Sequence, residues 1–90
     1  MLRLDVSESA NRFLERRQIK HQRQIIAKVQ DLRTDPYPVD SKVLKGTSRG
    51  LRRADAGEYR MIYRVKDDFL HVLDIGKRND DEVYRRFRRR

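Results

Sequence analysis

Apolar and charged residues alternate from the start of the chain: Leu2, Leu4 and Val6 bracket Arg3 and Asp5, the two-residue period of a half-buried strand. Ser7 followed by Glu8 then reads as a helix start, because a serine hydroxyl can accept a bond from an unpaired first-turn amide. Ala10, Phe13 and Leu14 form a short apolar face, and Ile25, Ile26, Val29 and Leu32 recur at helical spacing through about residue 34. The spacing predicts two consecutive helices, an αα-hairpin breaking near Arg17 to Lys20. Asp35-Pro36-Tyr37-Pro38 ends the second helix, since proline lacks an amide donor and disfavours helical geometry in the residue before it.

The pattern changes after a loop through Gly46-Thr47-Ser48-Arg49-Gly50. Leu51 to Asp55 is a short strand, Ala56-Gly57 a turn, and Tyr59 to Val65 a strand with Tyr59, Met61, Tyr63 and Val65 on one face and Arg60, Ile62 and Arg64 on the other. Lys66-Asp67-Asp68 is a hairpin turn, and Phe69 to Ile75 returns as a strand apolar on both faces, hence central in its sheet. Acidic Asp80, Asp81 and Glu82 precede Arg85, Arg86, Arg88, Arg89 and Arg90, the charge order that complements a helix dipole and predicts a short C-terminal helix. The fold class is α+β: strand, helix pair, then a three-stranded antiparallel meander with the helices on one sheet face.

At 90 residues the chain accommodates one domain, 1–90, and one active surface. Lys and Arg number 23 against 14 Asp and Glu, a net charge of +9 that calls for a polyanionic or acidic partner. The chain has no Cys, which excludes a disulfide framework and thiolate metal sites; with no long apolar run, a membrane partner or secretory signal is not expected and a cytoplasmic location is.

Arginine within a strand of apolar neighbours must face an anion, an acidic partner or water, which makes Arg60 and Arg78 the residues to explain. Arg60 sits mid-strand and Arg78 just past the end of the adjacent strand, so both can reach one pocket and clamp a phosphodiester. Equally, each can pair with a carboxylate such as Asp55, Asp74 or Glu58. Tyr84, early in the last predicted helix, is either a core aromatic or a phenol made more acidic by surrounding arginines and so able to act as a base. Arg52 and Arg53 point to opposite faces, and Arg53 is the one expected to face the Arg60 pocket. Lys42, Lys45, Arg49, Arg52 and Lys77 are candidate RNA contacts, or solvated surface charges. His21 and His71 read as surface or edge residues, and no metal set, Ser-His-Asp arrangement, Walker loop or dinucleotide fingerprint is present, so neither metal nor cofactor is expected. Phosphodiester chemistry without a metal stays open, because RNA supplies its own 2′-hydroxyl nucleophile.

Four pieces, Lys42-Val43-Leu44-Lys45-Gly46, Gly57-Glu58-Tyr59-Arg60-Met61-Ile62-Tyr63, Gly76-Lys77-Arg78 and Glu82-Val83-Tyr84, resemble in order and spacing the RelE family of toxins from bacterial type II toxin–antitoxin systems. The resemblance spans nearly the whole chain. It implies a RelE-like fold and a ribosome-dependent mRNA endoribonuclease that cuts in the A site. It further implies an acidic, RelB-like antitoxin as partner, with DNA met only indirectly through the antitoxin complex. The matching family residues make Arg60 the phosphate stabiliser, Arg78 the acid or charge stabiliser at the leaving group, and Tyr84 the residue that orients substrate or base. Arg53 aligns with a basic lysine, and Leu51 and Asp55 align with two further basic positions. Arginine stays protonated, so the resemblance moves proton removal toward Tyr84 or groups of the substrate and ribosome. Two other readings compete: a ParE-like toxin of the same fold that blocks DNA gyrase without cutting RNA, and a basic RNA-binding domain without activity.

Overall fold

The computed structural model describes residues 1–45 and 50–79. The predicted C-terminal helix, with Tyr84, and the loop residue Arg49 lie outside the described residues. The elements are β1 (Arg3–Val6), α1 (Glu8–Glu15), α2 (Ile19–Thr34), β2 (Lys42–Val43), β3 (Arg52–Ala56), β4 (Tyr59–Lys66) and β5 (Phe69–Lys77).

Ser7 turns strand into helix with one side chain. Its Oγ accepts the Ala10 amide at 3.1 Å and donates to the Leu73 carbonyl at 2.7 Å, while its own amide donates to Val72 O at 2.9 Å. The first turn of α1 is thereby capped and pinned to β5 at once. At the helix corner Gln22 Nε2 donates to the carbonyls of Leu14 and Arg17 at 3.0 and 3.1 Å, tying the first turn of α2 to the end of α1. Asp35-Pro36 ends α2 as expected, and the buried Tyr63 hydroxyl donates to Pro36 O at 2.7 Å, fastening the loop to the sheet.

The five strands lie in the order β1-β5-β4-β3-β2, with β1 parallel to β5 and the others antiparallel. The predicted three-stranded meander is therefore extended by β2, a two-residue edge strand in a segment the apolar pattern does not mark, and the sheet is mixed because β1 joins its other edge. β5 is interior, flanked by β1 and β4, in keeping with its two apolar faces, while the middle strand is β4. The main core lies between the helices and one sheet face: Ala10, Ile25, Val29 and Leu32 pack on Tyr59, Met61, Tyr63, Leu70, Val72 and Ile75. Leu4, predicted to share the buried face of β1, is 36% exposed because an edge strand lacks cover there.

The opposite sheet face carries a smaller cluster of Leu44, Leu51 and Ile62, with Leu73 beside it. A register irregularity at Ile62/Tyr63 sets Ile62 opposite Asp74 and Tyr63 opposite Val72, leaving Leu73 as the extra residue of a bulge. Together these residues form an apolar cluster on the sheet face that also carries Arg53 and Arg60.

Candidate active site

The β3–β4 hairpin builds the site. Its two-residue turn, Gly57-Glu58, pairs Ala56 with Tyr59, so Asp55 falls opposite Arg60 and Arg53 opposite Ile62. Gly57 holds φ +60°, a left-handed conformation that glycine adopts without penalty. Across the other edge of β4, Arg60 faces Gly76, which has no side chain to crowd the guanidinium. Just past β5, the Arg78 amide donates to Glu58 O at 2.9 Å and brings that residue back to the hairpin turn.

Both arginines meet at Asp55. Arg60 Nε donates to Asp55 Oδ1 at 2.8 Å and Arg60 Nη2 to Oδ2 at 3.4 Å, while Arg78 Nη1 lies 4.0 Å from Oδ2. The three side chains differ in exposure: 15% for Arg60, 33% for Asp55 and 52% for Arg78. Arg60 is thus held in place by the sheet, whereas Arg78 reaches in from the solvent side. Of the two predicted alternatives the structure shows the carboxylate pairing: both arginines turn toward Asp55. Beside Arg78 a cleft of about 330 Å³ is lined by Glu58, Tyr59, Lys77, Arg78 and Asn79, and Arg60 does not line it.

Arg53 shares the Arg60 face, as expected, one strand step from Asp55. It lies opposite Lys42 across β2–β3, a like-charge pair that is unfavourable unless an anion offsets it. Lys42, Lys45, Arg52 and Arg53, with Ser41 and Val43, line a second groove of about 500 Å³. Arg52 pairs with Tyr63 and so belongs to the helix-side face, where its Nη2 donates to the buried Ser41 Oγ at 2.8 Å and its guanidinium stacks 5.1 Å from the Tyr37 ring. Lys77, opposite Tyr59, also lies on the face away from Arg60. His21 packs edge-on against Tyr59, ring centres 5.2 Å apart, which places it at the core margin, and His71 Nδ1 lies 2.8 Å from Asp5 Oδ2 across β5 and β1. Among the described residues no three His, Cys, Asp or Glu side chains gather to hold a metal, and no helix is long and apolar enough to cross a membrane.

Sequence reasoning named Asp55 only as one of three possible partners. The signal that singles it out is the turn, read from the sequence as Ala56-Gly57 but formed by Gly57-Glu58: Ala56 joins β3 and pairs with Tyr59, which sets Asp55 opposite Arg60.

The architecture first defines a class, the RelE-like toxins. The chain superposes on the archaeal RelE–RelB complex from Pyrococcus horikoshii with a TM-score of 0.75 and 28% identity, covering 86% of this chain and 94% of that one. For the isolated E. coli RelE toxin the values are 0.73 and 20%, covering 96% and 98%; for the YoeB/ParE toxin from Agrobacterium tumefaciens they are 0.73 and 20%, covering 84% and 98%. The expected RelE-like fold is therefore the fold observed. The family model described as the ParE toxin of type II toxin–antitoxin systems, parDE, matches residues 4–82. The chain belongs to that family, within the RelE/ParE superfamily of toxins. No match is found among curated proteins.

Proposed function

We propose that this toxin is a ribosome-dependent mRNA endoribonuclease. The observation that carries the reading is the convergence of Arg60 and Arg78 on Asp55 beside the β3–β4 turn, where a phosphate taking the carboxylate's place would be gripped from two sides. A scissile phosphate there would attract the Arg60 fork to its nonbridging oxygens, with Arg78 near the leaving oxygen. The 2′-oxygen forms a bond to phosphorus and the bond from phosphorus to the 5′-oxygen breaks. The 2′-proton passes to a base and a proton is delivered to the departing oxygen. The products are a 2′,3′-cyclic phosphate and a 5′-hydroxyl. Charge grows on the nonbridging and leaving oxygens, so fixed guanidiniums stabilise the transition state more than the ground state. Tyr84 orients substrate or base, a role drawn from the family resemblance. Lys42, Lys45 and Arg53 offer their groove to flanking phosphates. An acidic antitoxin is the cognate partner, in keeping with the RelB-bound RelE of Pyrococcus horikoshii.

A gyrase-directed toxin is the second reading, favoured by two observations: the ParE description of the matching family and the Asp55 carboxylate set against both arginines. Cleavage on programmed ribosomes separates the two. The nuclease reading expects cuts in the A-site codon with 5′-hydroxyl ends, slowed about 10²–10³-fold in Arg78→Ala, the range for removing one positioned charge stabiliser, and slowed also in Tyr84→Phe. Inhibition of gyrase supercoiling by a folded chain that leaves ribosome-bound mRNA intact would reject it.

A further inference from the structure

The carboxylate at the centre of the arginine pair has a consequence for what the site accepts. Asp55 uses the Nε and Nη2 positions of Arg60, the side-by-side pair of donors through which a guanidinium also binds a phosphate. Its second oxygen lies toward Arg78. The pairing is fixed by the backbone, since Asp55 and Arg60 are direct cross-strand neighbours next to a two-residue turn. An intramolecular competitor of this kind is present at high effective concentration and cannot be diluted away. Arg60 is also largely covered, so its attraction to the carboxylate is screened less than that of a surface pair.

We propose that Asp55 is a built-in occupant of the anion site and sets its selectivity, making free single-stranded RNA a poor ligand and reserving the Arg60 fork for a phosphodiester held in place by additional contacts. The inference rests on the reading of Arg60 and Arg78 as phosphate ligands. A phosphate arriving on a flexible strand must displace or share the carboxylate with no other help. A phosphate already positioned along the backbone, with neighbours in the Lys42–Lys45–Arg53 groove, brings several contacts at once and outcompetes it.

The test is fluorescence anisotropy of a short, end-labelled single-stranded RNA with the wild-type chain, Asp55→Asn, Arg60→Ala and the double variant, over a series of salt concentrations. Asp68→Asn, which removes the same charge from a pair with Arg3 at the far end of the sheet, is the control. Asp55→Asn is expected to bind about tenfold more tightly, about 1.4 kcal/mol. Its log–log salt slope should steepen by roughly 0.7, one further phosphate contact on a single strand. The gain should vanish in the Arg60→Ala background and be absent in Asp68→Asn. Asp55→Ser, checked for folding by circular dichroism, should behave as Asp55→Asn does. Equal binding by wild type and Asp55→Asn, or a gain that survives loss of Arg60, overturns the proposal while Arg60 still matters to RNA. If Arg60→Ala changes RNA binding in neither background, the phosphate reading of Arg60 fails, and the proposal with it.

Discussion

Replacing Gly57 with Ala tests whether the hairpin turn that places Asp55 against Arg60 rests on backbone conformation or on contact with α2. At φ +60° an added β-carbon meets the following carbonyl, a penalty of roughly 1–2 kcal/mol for a non-glycine residue. The same β-carbon would lie 2.6 Å from Gln24 Cδ and Oε1, inside contact distance. Gln24 is an exposed side chain, so moving its carboxamide aside costs only about 0.5–1.5 kcal/mol of rotamer strain at most. The backbone term should therefore dominate, with a total near 2 kcal/mol; at about 4–8 °C per kcal/mol for a domain of this size, the midpoint should fall by about 8–16 °C. Thermal unfolding followed by far-ultraviolet circular dichroism checks this, with Gln24→Ala and the double variant completing the cycle. Gln24→Ala should recover the smaller part of the loss, and Gly57→Asn should lose less than Gly57→Ala, because asparagine enters the left-handed region more readily. Wild-type melting by Gly57→Ala would refute the conformational argument. Full recovery in the double variant would place the cost in the Gln24 contact instead.

Tyr63→Phe keeps the buried ring but removes the hydroxyl bonded to Pro36 O, and a loss of about 1–2 kcal/mol is expected in urea unfolding. An unchanged midpoint would mean that water satisfies that carbonyl. The hydrogen bond from Lys28 Nζ to Asp40 Oδ2, 2.7 Å long, holds the Asp40 carboxyl below its ordinary value of 3.8. A depressed folded-state value stabilises above the unfolded value, and that stabilisation disappears as pH falls through the folded one. Asp40→Asn should therefore be less stable than wild type at neutral pH and equal to it well below pH 3.8, with a pH series of unfolding midpoints as the check.

Where side-chain period and turn chemistry agreed, the fold was legible. Ser7 capped a helix where a serine preceding an apolar face should, Pro36 closed α2, and the alternation of Tyr59, Met61, Tyr63 and Val65 against Arg60 and Ile62 gave both faces of β4. What escaped was set by distant pairing. Two residues, Lys42 and Val43, show no period, and only the presence of β3 beside them makes a strand. The parallel placement of β1 on β5 has no local signature, because the partners Arg3 and Phe69 are separated by nearly the whole described chain. Arginine type and spacing brought out Arg60 and Arg78, which the structure sets against the same carboxylate. The opposite facing of Arg52 and Arg53 was legible in the alternation, whereas the place of Lys77 on the other face followed from strand register, which an offset of one residue would have reversed.

The order in which these strands leave the ribosome has its own significance. β5 is made after every other described element, yet it pairs with both β1 and β4 and receives the bond from the Ser7 hydroxyl. The first strand must wait for the last before the sheet can close, and non-local pairing of this sort slows folding. Arg78 follows β5 immediately, so the two arginines can meet only when synthesis has passed that point. A nascent chain thus lacks the convergence of Arg60 and Arg78 on Asp55 until Arg78 has been added. That delay leaves an interval in which a partner can meet the chain before Arg60 and Arg78 come together at Asp55.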